Sequence, residues 1–455
     1  MVTSYGELVR LRGAEMTSCP RLLLSWLLTA CTLVAIAGAA ELPDYPDDTN
    51  NGIPVNYTEA NVGEYQLPDP LLLDDGTQVT TAEQWRTARR EQLRRQFERY
   101  QYGRAAAGPM PLDYEVVESS PSALNGTAVR KQVVIRFGDT ERSQFMDLLL
   151  YLPAHRQGPV PVLLSINFMP NNLSVDDDAV RVGRIWNRET GQREPATRPS
   201  RFGRLPVAQV LAAGFGLATF NYADVDPDAK DGFSHGVRSL YAAGDPSEMA
   251  DDEWGTIAAW VWGISRAIDY FEQDADVDEH RVAITGISRL GKTVMWAGAN
   301  DERVAAVIAS CSGEGGAALS RRNYGETIAH LASPKRYSYQ FAKNYQTWAA
   351  DPRIAPVDAH ELVALIAPRP LLLQTGTSDK WSDPKGEFLA AQAATPVYEL
   401  LGQQGINVQE LPEPNTLVGD TLAFYMHDGG HGMVPGDWQV FLEFLTKQFQ
   451  SSTVS

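Results

Sequence analysis

Residues 281–293 read Arg-Val-Ala-Ile-Thr-Gly-Ile-Ser-Arg-Leu-Gly-Lys-Thr, and they decide how the rest of the chain is read. A short β-branched run stops at Gly286, a serine follows, and a helical pattern leaves. Strand, sharp turn and helix in that order form a nucleophile elbow, which lifts the serine hydroxyl from the carboxyl end of a strand on a strained turn; flanking glycines are needed where a Cβ would clash. The usual spacing is G-x-S-x-G. Here the second glycine comes one place later, in Gly286-Ile287-Ser288-Arg289-Leu290-Gly291. Arg289 and Lys292 set two cations beside the candidate nucleophile, which points to an anionic or oxyanionic reaction centre.

Outward from the elbow, helix and strand patterns alternate. Val207–Ala213, Trp254–Phe271, Leu290–Ala299, Gly386–Leu401 and Trp438–Phe449 read as helices. Phe215–Asn221, Val282–Thr285, Val304–Ala309, Leu371–Thr375 and Leu422–Tyr425 read as strands. Such alternation implies parallel strands with helices on both faces, and in such sheets chemistry gathers beyond the carboxyl ends of the strands. Those ends carry Ser288, then Ser310-Cys-Ser-Gly-Glu-Gly-Gly316, then Gly376-Thr-Ser-Asp-Lys-Trp381, then His427-Asp-Gly-Gly-His-Gly432. The order Ser, Asp, His is that of an α/β-hydrolase, so the expected fold class is an α/β-hydrolase three-layer αβα sandwich with a mainly parallel central sheet.

A serine needs a base to take its proton, and the base needs a carboxylate to hold its tautomer. His431, on a glycine-rich loop after the last strand, is read as the base; His427, at the strand end, is read as a packed structural histidine and His280 as a turn residue. Asp379 follows the strand Leu371–Thr375 and is the candidate acid. Glu314 competes for that role, or else binds substrate or braces its own loop. With no HExxH or paired-histidine spacing, no metal and no cofactor is expected.

The N-terminal side reads differently. Residues 82–100 place Trp85, Leu93, Phe97 and Tyr100 on one helical face, with the many arginines on the solvated one. Tyr114–Ser119, Val129–Phe137 and Phe145–Leu152 read as an antiparallel opening, and Val160–Asn167 as a fully buried strand. The polar, arginine-rich stretch from Met169 to Leu205 has the length of a lid or binding loop. Residues 41–80, rich in Pro, Asp, Asn and Gly, read as an extended lead-in, and 81–455 as a single catalytic domain. Residues 1–40 read as a signal peptide: Arg21 precedes an apolar run that ends in small residues, with cleavage near Ala40 and Met16 as an alternative start. Leu28-Thr-Ala-Cys31 resembles a lipoprotein box, the second reading of the same segment. The expected location is therefore secreted or periplasmic.

The 455 residues are 44% hydrophobic and 21% charged, with a formal net charge of -18. Composition is thus globular, and the acidity excludes nucleic acid as a partner, since phosphate binding needs basic stripes. Two of the three cysteines, Cys19 and Cys31, lie in the leader, so Cys311 has no partner for an internal disulfide. A monomer without a stable protein partner is expected.

Together these residues resemble carbohydrate esterase family 15, the glucuronoyl esterases, and especially its bacterial branch. The likeness runs from about Trp85 to Trp438 and rests on Gly286–Lys292, Ser312–Arg322, Asn323-Tyr-Gly-Glu326, Ile366-Ala-Pro-Arg-Pro370, Asp379-Lys-Trp-Ser-Asp-Pro384 and Gly429-Gly-His431. It implies Ser288 as nucleophile, Arg289 as a guanidinium in the oxyanion hole, His431 as base, and Lys292, Glu326 and Trp381 as contacts to a uronic acid ring. It implies a substrate such as glucuronoxylan or its lignin–carbohydrate esters. Where fungal relatives carry a catalytic glutamate after the strand that follows the elbow, this chain has Cys311, which strengthens Asp379. An acetylxylan esterase on the same scaffold, or a secreted carbohydrate-binding protein without activity, are the rival readings.

Overall fold

In a computed structural model, residues 42–197, 202–242 and 249–451 are described. The signal-peptide reading lies outside them. The described residues all fall in one compact unit.

Three long strands, Leu112–Ser122 (β1), Ala128–Phe137 (β2) and Gln144–Pro153 (β3), pair antiparallel in sequence order. The chain then enters the middle of the sheet with Val160–Asn167 (β4), steps to Gly216–Asn221 (β5) on one side, and crosses to Val277–Ile287 (β6) on the other. From there Val304–Ser310 (β7), Leu371–Gly376 (β8) and Leu422–His427 (β10) add outward in parallel, and the short Val418–Gly419 (β9) closes that edge antiparallel to β10. The sheet has ten strands, and β3 pairs antiparallel with β5 to join its two parts. All positions of β5, β8 and β10 are buried, as strands covered on both faces must be.

Alternate side chains go to opposite faces. Val162, Leu164, Val282, Ile284, Leu371 and Leu373 join one core, which Thr256–Phe271 (α2), Arg289–Asn300 (α3), Ala359–Ile366 (α4) and Pro384–Leu400 (α5) cover. Leu163, Ala283 and Leu372 join the other, under Val207–Ala212 (α1) and Pro435–Ser451 (α6). This is the three-layer α/β-hydrolase arrangement. Because the chain runs outward from β4 in both directions, the crevice at the carboxyl ends of β4 and β6 is the switch point where such sheets bind ligands, and Ser288 follows β6.

Three N-terminal expectations meet a more detailed structure. The helix of 82–100 runs as Ala82–Gln84, π-helical Trp85–Arg89, α-helical Arg90–Phe97 and π-helical Glu98–Tyr102. Trp85, Leu93 and Phe97 are buried, but so is Arg89, which was placed on the solvated face: its guanidinium pairs with Glu361 of α4 at 3.0 Å and donates to the Pro70 carbonyl. A π turn takes one residue more than an α turn, which carries the positions after it round by about 100°. The stretch from Met169 to Leu205 is not featureless, since Arg184–Asn187 and Gln192–Pro195 form a hairpin and Asp177 fastens it to Arg130 and Tyr151 of the sheet. The lead-in folds Asp48–Asn50 against Ile53–Val55. It is then stapled to the body by Asn56 donating to the Asn323 carbonyl at 2.6 Å and by Glu59 paired with Arg322 and Lys385.

Candidate active site

Ser288 has φ 60° and ψ -127°, the strained geometry of an elbow residue, and opens α3. A Cβ at position 286 would lie 2.5 Å from the Leu290 carbonyl oxygen, so only glycine fits before the serine. The displaced second glycine has its own cause. A Cβ at position 291 would meet the Ser310 carbonyl oxygen at 2.8 Å, because the first turn of α3 lies on the end of β7. The usual glycine position holds Leu290, buried in the core instead.

His431 turns Nδ1 to Asp379 Oδ2 at 2.7 Å, with Ser382 Oγ at 3.3 Å. Burial alone would raise the Asp379 pKa, but the bonds from His431, Ser382 and Cys311 outweigh it and hold the carboxyl below its usual range. With Nδ1 occupied, Nε2 is the free edge of a half-exposed ring, whose side chain is 42% accessible. Cys311, in the left-handed region at φ 43°, sits beside this pair: its Sγ and the donor atoms of Asp379 and His431 lie within 4.8 Å of one another. Asp379 and His431 are turned on each other more closely than two ligands stand on one tetrahedral ion.

The competing residues go elsewhere. Glu314 is buried and accepts from Ser320 Oγ and Tyr345 OH, each at 2.7 Å, and burial pushes its pKa up to about 8. It braces its loop. His427 is buried between Asp437 and the Gly430 carbonyl oxygen, with both ring nitrogens engaged at 3.0 Å. His280, read as a turn residue, is instead an exposed position of β6, which begins at Val277, before the apolar run that starts at Val282.

On the other side of the elbow, Arg289 reaches Asp228 at 2.5 Å and lies over the Tyr337 ring at 4.3 Å. Burial opposes its charge, and Asp228 more than restores it. Asp228 in turn accepts from Gln340 Nε2 at 2.6 Å, Tyr339 OH at 2.9 Å and Tyr222 OH at 3.1 Å. This anchor was missed in the sequence, although Tyr222-Ala-Asp-Val-Asp-Pro-Asp228 follows β5 and the strand-end rule points straight at it. Lys292 is buried with its ammonium 3.6 Å from Glu326; burial lowers its pKa while Glu326 opposes the fall. Glu326 also pairs with Arg336 at 3.1 Å, and Arg336 lies over Trp381 at 4.9 Å, so Lys292, Glu326, Arg336 and Trp381 form one connected wall.

Two spaces open at His431. One, of 310 Å³, is lined by Phe168, Ile287, Met433 and Trp438 and by Phe202 and Leu205 of the long loop. The other, of 610 Å³, lies between the lead-in and the loop 378–381. A half-buried serine on a strained turn, an imidazole with one edge free, and a fixed guanidinium next to the serine in sequence are the parts that acyl transfer requires.

A family model for fungal glucuronyl esterase matches residues 201–402. A carbohydrate esterase of an unknown prokaryotic organism is 42% identical over 91% of this chain and 97% of its own length. A 4-O-methyl-glucuronoyl methylesterase of Wolfiporia cocos is 27% identical over 74% of this chain and 72% of its own. Among solved structures, a glucuronoyl esterase from Solibacter usitatus superposes with a TM-score of 0.82 at 42% identity, covering 86% of this chain and 100% of that one. A glucuronoyl esterase of carbohydrate esterase family 15 from Teredinibacter turnerae gives 0.72 at 33%, covering 84% and 89%.

Proposed function

Since the chain belongs to carbohydrate esterase family 15, the glucuronoyl esterases, and is a carboxylic ester hydrolase, we propose that it is an exported serine esterase. Its substrates are esters of 4-O-methyl-glucuronic acid such as join glucuronoxylan to lignin alcohols. The contact that carries the reading is His431 Nδ1 on Asp379 Oδ2, at the end of β8 beside the Ser288 turn.

Ser288 Oγ attacks the ester carbonyl carbon as His431 Nε2 takes its proton, and Asp379 holds the imidazole in the tautomer that can accept it. Charge gathers on the carbonyl oxygen. Arg289, fixed by Asp228, and the backbone N–H after the serine stabilise that oxyanion, a contribution of about 3 kcal/mol for one such donor. Collapse expels the alcohol, which receives the proton from His431, and leaves a uronoyl ester on Ser288. Water, deprotonated by the same imidazole, releases the uronic acid. Lys292, Glu326 and Trp381 stand on the acyl side and hold the sugar, so selectivity belongs to the acid half of the ester. Export rests on the apolar run of residues 22–40.

The test is a side-by-side assay of the purified protein on benzyl glucuronate, methyl galacturonate and acetylated xylan. Glucuronate should be strongly preferred, and Ser288→Ala should abolish turnover. Equal efficiency on acetylated xylan would replace the uronate reading with an acetyl esterase.

A further inference from the structure

Arg289 follows the nucleophile, yet its closest charged contact is an acid. Buried Asp228 holds Oδ2 at 2.5 Å from Arg289 Nη1. A guanidinium and a carboxylate in contact sum to no net charge, so by itself this pair offers a developing anion only the field of a dipole. The donors to Asp228 from Gln340, Tyr339 and Tyr222 are neutral and leave that sum unchanged.

A second cation stands on the same oxygen. Arg188 Nη2 lies 3.4 Å from Asp228 Oδ2 and donates to the Asp228 carbonyl oxygen at 2.8 Å. Arg188 is at the tip of the hairpin that Arg184–Asn187 and Gln192–Pro195 form. The turn is set by Asn187, whose Oδ1 accepts from the Glu189 N–H at 2.9 Å and whose carbonyl accepts from the N–H of Gly191, at φ 64°. Other residues dock the hairpin. Arg193 donates to the carbonyls of His235, Ala223 and Asp224, and Asn221 donates to the Arg184 carbonyl. The Arg188 side chain is 63% exposed, and pairs so exposed contribute little to stability. Arg181 and Arg184 of the same stretch go to other acids, Asp147 at 3.3 Å and Asp224 at 3.5 Å.

We propose that Arg188 is a positioning residue for ester cleavage: with Arg289 it sets two guanidinium groups on one carboxylate, and the unit of positive charge left over is what the oxyanion at Ser288 meets. This rests on the reading of Arg289 as an oxyanion donor. Arg188 acts through Asp228, drawing part of that carboxylate's field away from Arg289. The stretch from Met169 to Leu205 thereby gains a part in the chemistry, because its hairpin carries a charge to the reaction centre. A charge on an exposed side chain acts partly through water, so its effect is modest and falls with salt. The screening length shrinks from about 10 Å at 0.1 M to about 3 Å at 1 M.

Kinetics of the full chain on benzyl glucuronate and on p-nitrophenyl acetate test it. Arg188→Gln should lower kcat about fivefold at low ionic strength on both esters, since the oxyanion is common to them, with KM within about twofold. Arg188→Lys should restore most of the loss, and in 1 M salt the unmodified enzyme and Arg188→Gln should converge. Arg181→Gln removes the same charge from the same stretch but away from Asp228, and should leave kcat within about twofold. The melting temperature of Arg188→Gln should stay that of the unmodified protein, which separates a lost charge from a lost fold. An unchanged kcat in Arg188→Gln, a loss that lysine does not restore, an equal loss in Arg181→Gln, or an effect confined to the glucuronate ester overturns the inference. Arg289→Met tests the premise. Full kcat without that guanidinium overturns the oxyanion reading, whereas a loss there with none in Arg188→Gln overturns only the part given to Arg188. Cleavage of the acetate ester alone overturns the uronate reading and leaves the charge comparison to be read on acetate.

Discussion

His427 ends β10 and His431 lies in the loop that follows, and each turns Nδ1 on an aspartate, at 3.0 Å to Asp437 and 2.7 Å to Asp379. The two pairs differ in what the second nitrogen meets. In His431 it is the free edge of a half-exposed ring; in His427 it donates to the Gly430 carbonyl, and the whole ring is buried. A histidine with one nitrogen held can pass a proton through the other. A histidine with both held is a clamp, and this one fixes Gly430, the residue next to His431. Asp437 extends the clamp by accepting from the Val434 N–H at the start of α6. The same two residue types thus give chemistry or rigidity according to burial and the count of acceptors.

The largest expected effect separates the pairs. Asp379→Asn should lower kcat by about 10⁴-fold with little change in KM, since the imidazole loses its tautomer while the pocket stays. Asp437→Asn should leave kcat within about tenfold and cost about 3 kcal/mol of stability in denaturant titration, as the loss of a buried charge partner does. Equal losses of kcat would erase the distinction. Next in size is a rescue. Cys311 stands within reach of both Asp379 and His431, so Cys311→Glu in the Asp379→Asn background should recover on the order of tenfold in kcat by offering the imidazole a second carboxylate. No recovery would mean that the Cys311 backbone cannot aim a carboxylate at Nδ1.

Smaller still is a pH effect. The bond to Asp437 raises the pKa of His427 above 6.5, with burial opposing. A raised folded pKa contributes stability that is full below pH 6.5 and lost as pH rises through the higher folded value. Melting temperature should therefore fall across that window, and the fall should shrink or vanish in Asp437→Asn. The smallest expected change in kcat is at Glu314. Its pKa of about 8 against 4.5 in the unfolded chain means that its contribution is full below pH 4.5 and gone by about pH 8. Glu314→Gln, which copies the neutral form, should keep kcat and lose its share of that decline; a large drop in kcat would return Glu314 to the chemistry.

Much of this was legible in the sequence for a local reason. Strand period, the elbow glycines and the chain order of Ser288, Asp379 and His431 are all short-range signals, and the sheet sets the strand ends side by side without further information. What escaped is long-range. Asp228 meets Arg289 across 61 residues, and nothing in either local pattern names the other. Arg89 was misplaced because π turns break the helical period on which the reading relied. The lead-in read only as an extended segment, yet its place in the fold depends on contacts with Arg322, Asn323 and Lys385 that no window of sequence contains.

Those contacts also put the molecule on a clock. Glu59 and Arg322 are separated by 263 residues, and at about 5–20 residues per second a ribosome takes roughly 13–50 s to deliver the second after the first. Throughout that interval Tyr45 and Tyr57, which line the lead-in side of the 610 Å³ space at His431, have been made but have nothing to lie against. The wall of that space that is synthesised first is placed last, so a chain released before residue 322 carries those tyrosines without the arginine that anchors them.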